Sequence, residues 1–155
     1  GKIIFINGTS SSGKSLLIKG LQDSLSEPCL EMGLDKTIWM LPKRYLNQPL
    51  WNEVLGKANA AGELGHQLVK DAQGNPSLAD SGLNILADHV LVEPARVKDC
   101  ALLFHDTQAY LIGIRCDLKI LEQREKDRWD RTLDQARVQY WKAHARGIYD
   151  FEVDT

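Results

Sequence analysis

Gly8-Thr9-Ser10-Ser11-Ser12-Gly13-Lys14-Ser15 carries the residue types of a phosphate cradle at the spacing G-x-x-x-x-G-K-[ST]. Glycines let a backbone approach an anion closely, and N–H groups at a helix N-terminus point towards it. In such a loop Lys14 reaches the β- and γ-phosphates, and the Ser15 hydroxyl is placed to ligate Mg2+. The loop therefore predicts bound nucleoside triphosphate. An accidental Gly/Ser match would not bring the correct flanks, a buried-strand pattern before it and a helical one after.

Two aspartates extend the chemistry. Asp35 follows the second predicted strand and Asp88 ends the third. In open α/β sheets the ligand lies outside the C-terminal strand ends, so both acids land on the edge that carries the loop. Asp35 is placed to accept a proton from an acceptor hydroxyl opposite the γ-phosphate. Asp88 is placed to hold Mg2+ through water, or to orient the acceptor. Either acid alone could equally be a cap or an exposed turn residue; beside a phosphate loop the pair reads as functional.

Arg124, Arg128 and Arg131 are spaced to share one helical face. A charge run is usually a solvated helix end with internal ion pairs. Its functional reading is a lid over residues 124–131, with Arg128 and Arg131 on phosphate and Arg124 nearer the adenine. His89 is expected in the core or the pocket wall, and the four histidines show no metal-site spacing.

The elements that must position these groups follow from apolar periodicity. Lys2 to Ile6 reads as a buried strand, and Leu17, Leu21 and Leu25 mark the apolar face of the helix after the loop. Further strands are expected at Cys29–Leu34, Asn84–Asp88, Ala109–Arg115 and Tyr149–Val153. Helices are expected at Lys36–Leu41, around Leu64–Ala72, after Pro94, from Leu118, and from a Thr132 cap through Ala145. Residues 42–80 hold the irregular stretch, expected to wall a substrate pocket, with Trp39 and Trp51 beside or within it. Strands alternating with helices imply one α/β domain over 1–155 with a parallel sheet.

Bulk properties narrow the class. With 155 residues, 43% hydrophobic and 26% charged, the chain suits a single core. A formal charge of −2 argues against a dedicated nucleic-acid binder. Cys29, Cys100 and Cys116 are widely spaced in apolar surroundings and read as reduced thiols of a cytoplasmic protein. No apolar run reaches membrane-spanning length, and no signal-peptide pattern is present. A few N-terminal residues and a C-terminal helix are expected beyond the ends given. Whether the chain forms a homo-oligomer is left open.

The cradle, Gly33-Leu34-Asp35, Ala87-Asp88-His89-Val90, Arg115-Cys116-Asp117, Arg124 to Arg131 and Tyr149-Asp150-Phe151-Glu152-Val153-Asp154-Thr155 together resemble the chloramphenicol phosphotransferase family of P-loop kinases. The resemblance runs along nearly the whole chain. It implies a P-loop NTPase three-layer α/β/α sandwich with a five-stranded parallel sheet ordered 2-3-1-4-5 and a lid. It also implies ATP, Mg2+ and phosphoryl transfer to a small-molecule hydroxyl acceptor, with Asp35 as base and Arg131 as the lid arginine. Residues 42–80 resemble the antibiotic kinase least. At His89 the family's type enzyme has a second acid, so the acceptor need not be chloramphenicol.

Two other readings compete. A nucleotide or nucleotide-sugar kinase needs a second phosphate patch, for which Lys43-Arg44 is the candidate. An ATP-gated regulatory module would need neither Asp35 nor a lid.

Overall fold

The computed structural model describes residues 1–33, 36, 40–45, 82–95, 97–98, 102, 108–128, 133–145 and 147–155. Strands β1 (Ile3–Gly8), β2 (Cys29–Gly33), β3 (Asn84–His89), β4 (Ala109–Arg115) and β5 (Phe151–Asp154) form one sheet ordered β2-β3-β1-β4-β5. Every pairing is parallel. Helices α1 (Lys14–Ser24), α2 (Leu118–Lys126) and α3 (Gln135–Ala143) sit among the connections.

Period-two alternation divides the core between the two sheet faces. Ile3, Phe5, Ile85, Ala87 and Leu91 pack on one face, with Met32, Val97, Ala109 and Leu111 against them. Ile6, Ile18, Leu86 and Ile114 pack on the other, with Leu17, Leu21 and Ile112. Burial on both faces explains why β1 and β3 read as continuous apolar runs. On α1 the fully buried apolar residue is Ile18, flanked by Leu17 and Leu21. Leu25, expected on that stripe, is instead the C-cap in extended conformation and is 40% exposed.

Three other expectations shift. Strand β5 begins at Phe151 rather than Tyr149. The Tyr149 ring turns beneath β4, where a Cβ on Gly113 would come within 2.7 Å of it; glycine there makes room for the ring. Helix α2 ends at Lys126, so Arg124 lies on its last turn and Arg128 two residues beyond it. The helix expected from Thr132 to Ala145 is α3, which begins at Gln135 with Asp134 as an N-cap at φ 66° making no side-chain capping bond. The cap is supplied across space: Glu125 Oε1, buried on α2, accepts the Ala136 N–H at 2.7 Å. A neighbouring helix thus satisfies a donor that local sequence leaves open.

Residues 37–39 of the expected Lys36–Leu41 helix (Trp39 among them), all of the Leu64–Ala72 helix, Trp51, Cys100 and Thr132 lie outside the described residues. So do Asp35, Arg131 and nearly all of the 42–80 pocket region. Within it, Lys43–Tyr45 forms a 3-10 turn.

Candidate active site

The loop between β1 and α1 is built as a cradle. Ser11 at φ 62° and Gly13 at φ 94° take left-handed backbone, the alternation that turns successive N–H groups to one concave side. Gly13 is the N-cap of α1 and makes no side-chain capping bond, so the helix N-terminus opens on the loop. At Gly8 a Cβ would come within 2.6 Å of Ser12 Oγ and 3.0 Å of the Ile114 carbonyl oxygen, so only glycine closes the loop this tightly. The Oγ atoms of Ser10, Ser11 and Ser12 are buried with no hydrogen-bond partner among the described residues. Buried polar atoms in that condition suit a site made to receive a polar ligand.

Lys14 crosses the cradle. Its Nζ donates to Gly8 O at 3.0 Å and Thr9 O at 2.8 Å, and lies 3.8 Å from Asp88 Oδ1. Sheet register explains the meeting. Asp88 pairs with Ile6 on one side and Gly33 on the other, so its carboxylate emerges at the strand ends beside the loop. The loop, Lys14, Ser15, Asp88, Arg124 and Arg128 line one cleft of about 1000 Å³. Gly8 and Thr9 are not among its lining residues, and His89 forms part of its wall, buried and stacked on Phe5 at 5.8 Å between centroids. Arg124 Nη1 donates to Ser11 O at 3.4 Å and Thr155 Oγ1 at 3.3 Å, which ties α2 to the rim. Arg44 lies with its guanidinium 4.8 Å from the Tyr45 ring centroid, a local stack.

Several residues to which the sequence attached no role hold this site together. Asn7, fully buried, donates through Nδ2 to Ala143 O at 2.7 Å and Tyr149 OH at 2.6 Å, and accepts from Leu91 N at 2.9 Å. One side chain therefore joins β1, the segment after β3, the end of α3 and the approach to β5. The Tyr149 hydroxyl also meets His144 Nδ1 at 2.8 Å. Burial lowers the His144 pKa, helped by the Arg115 charge, and burial raises that of Tyr149 against the opposing Asn7 bond. Both shifts favour neutral forms. The only sequence signal for Asn7 is a polar residue ending an apolar strand.

The terminal run quoted for the family also acquires a reason. Asp150 Oδ2 accepts the Leu111 N–H at 2.7 Å, Glu152 pairs with Arg115 at 2.7 Å, and Thr155 Oγ1 donates to Ser12 O at 3.0 Å. Asp150 and Glu152 thus fasten the edge strand to β4, and Thr155 fastens its end to the cradle. Asn7→Ala should strip Leu91 N–H and Ala143 C=O of their side-chain partner, lowering stability by about 3 kcal/mol. Urea unfolding would read this, with Tyr149→Phe, which keeps Asn7's other two bonds, costing about 1 kcal/mol.

The model of the family described as chloramphenicol phosphotransferase-like protein matches residues 1–155. The chain belongs to that family. A Mycobacterium tuberculosis protein provisionally named an O-phosphotransferase is 28% identical, the match covering 100% of this chain and 75% of that one. Shikimate kinase from Aquifex aeolicus superposes with TM-score 0.62 at 14% identity, over 98% of this chain and 86% of that one. A gluconokinase from Sinorhizobium meliloti gives TM-score 0.60 at 14% identity, over 99% and 82%. At such identities the likeness is one of fold, and the fold is that of P-loop kinases. As a chloramphenicol phosphotransferase-like protein on this fold, the chain is a phosphotransferase with a nucleotide-binding P-loop. Among the described residues of this family member, no helix is long and apolar enough to cross a membrane.

Proposed function

We propose that the chain transfers the γ-phosphoryl group of ATP to a hydroxyl of a small molecule, with Mg2+. The observation that carries this is the cradle itself: left-handed Ser11 and Gly13, an α1 N-terminus with no side-chain cap, and Lys14 between the loop carbonyls and Asp88. The unpartnered serine hydroxyls and the oxygen donors at hand suit a phosphate with its hard cation. Ser15 and Asp88 would hold Mg2+, which when bound neutralises phosphate charge. The relative's O-phosphotransferase name fits an oxygen acceptor.

In this reading Gly8 to Ser15 bind the phosphates through backbone N–H groups, and Lys14 exchanges its carbonyl partners for phosphate oxygens. Asp35 takes the acceptor proton as the hydroxyl oxygen bonds to the γ-phosphorus and the bond to the β-phosphate bridging oxygen breaks, leaving ADP. Positioning and charge stabilisation do the catalysis. Arg124 serves the adenine side, Arg128 and Arg131 the phosphates, within a lid over 124–131. Residues 42–80 line the acceptor pocket of a single domain.

The test is a thermal-shift screen of alcohol-bearing metabolites and antibiotics, with Mg2+ and a non-hydrolysable ATP analogue. A bound ligand raises the melting temperature, and each hit is then assayed for ADP release with ATP. Nucleotide binding with no hydroxyl compound stimulating turnover would favour a regulatory module instead. Loss of acceptor binding alone in Arg44→Ala would favour a phosphorylated acceptor.

A further inference from the structure

We propose that Gln139 binds the γ-phosphate: its carboxamide is anchored on the cradle through oxygen and presents its NH2 group to the phosphoryl group being transferred. The proposal rests on the ATP reading above and adds a residue to it.

Gln139 Oε1 accepts the Ser10 N–H at 2.8 Å. Because that partner is a donor, the facing atom must be oxygen, which settles the amide's orientation. The planar group then carries its two N–H donors on the side away from Ser10. Gln139 lines the same cleft as Lys14, Asp88, Arg124 and Arg128. The Ser10 N–H, one of the cradle's amides, is thereby engaged, and the carboxamide offers two donors further out in its place.

Helix α3 holds this side chain where it is. Ala136, Gln139 and Ala143 recur at i, i+3 and i+7 on one face, and both alanines are buried. Small residues on either side let the helix backbone lie close to the loop, with glutamine reaching across. Both ends of the helix are fastened, by Glu125 on the Ala136 N–H and by Asn7 on the Ala143 carbonyl. A donor held so firmly loses little freedom when it meets a ligand. A neutral donor also adds hydrogen bonds to phosphate without more positive charge beside Lys14, Arg124 and Arg128.

Calorimetric binding of ADP and of the β,γ-imido analogue of ATP, each with Mg2+, tests this without knowledge of the acceptor. Gln139→Glu keeps an acceptor for Ser10 N–H and removes the donors; Gln139→Met removes both without adding charge. Each should weaken the ATP analogue by about 10- to 100-fold, the usual effect of losing a hydrogen bond to a charged group. In the methionine variant, which adds no charge, ADP affinity should stay within about twofold, which also reports an intact fold. Equal weakening of both nucleotides by the methionine substitution, no weakening, or a selective loss in the glutamate variant alone would each overturn the assignment. Failure of the unsubstituted protein to bind either nucleotide would instead overturn the ATP reading, and this proposal with it.

Discussion

Lys14→Ala is expected to lower turnover by about 10²- to 10³-fold, the effect of removing one preorganised donor to developing charge. It should also weaken ADP and ATP alike, by about 10- to 100-fold for a lost charge-assisted bond. The reason lies in where the ammonium sits. Its three donors are spread over Gly8 O, Thr9 O and the neighbourhood of Asp88, on a side chain that is itself buried at the cleft floor. A charge so placed interacts more strongly with phosphate than it would in open solvent. Steady-state kinetics and calorimetry on a variant with unchanged circular dichroism would check it. Near-normal nucleotide affinity would show that Lys14 braces the loop and does not bind phosphate.

Asp35→Asn should behave differently, with turnover reduced by about 10²- to 10⁴-fold as for a lost general base. Nucleotide affinity should remain close to that of the unsubstituted protein. Strand β2 ends at Gly33, paired with Asp88, so residue 35 comes two positions after the strand edge that carries the site. Asparagine keeps the size and polarity of the side chain while removing its ability to take the proton. The split between turnover and affinity separates it from Lys14→Ala, where both fall. Unchanged turnover would remove Asp35 from the mechanism and shift attention to Asp88.

Five strands were legible to within a few residues, because burial on both faces imprints continuous apolar runs and glycine or proline punctuates them. The cradle was legible for a similar reason: its chemistry comes from backbone geometry that only certain residues permit, at fixed spacing. Gly8 and Gly13 are where the chain must be tight or left-handed, and the pattern records that need directly.

What holds the site together was not readable in this way. Asn7 meets residues 84 and 136 positions away, Gln139 reaches back 129 positions to Ser10, and Thr155 reaches 143 to Ser12. None belongs to a local pattern, because a hydrogen-bonding side chain has no period; its partner is chosen by folding. The same holds for Glu125, an acid in a charge run that resembles solvated surface yet is buried as the cap of another helix. The phosphate loop is thus written in adjacent residues, since a turn is a local object. The bonds that join the loop to α3 and β5 exist only after distant segments have packed, when burial makes each polar group find a partner.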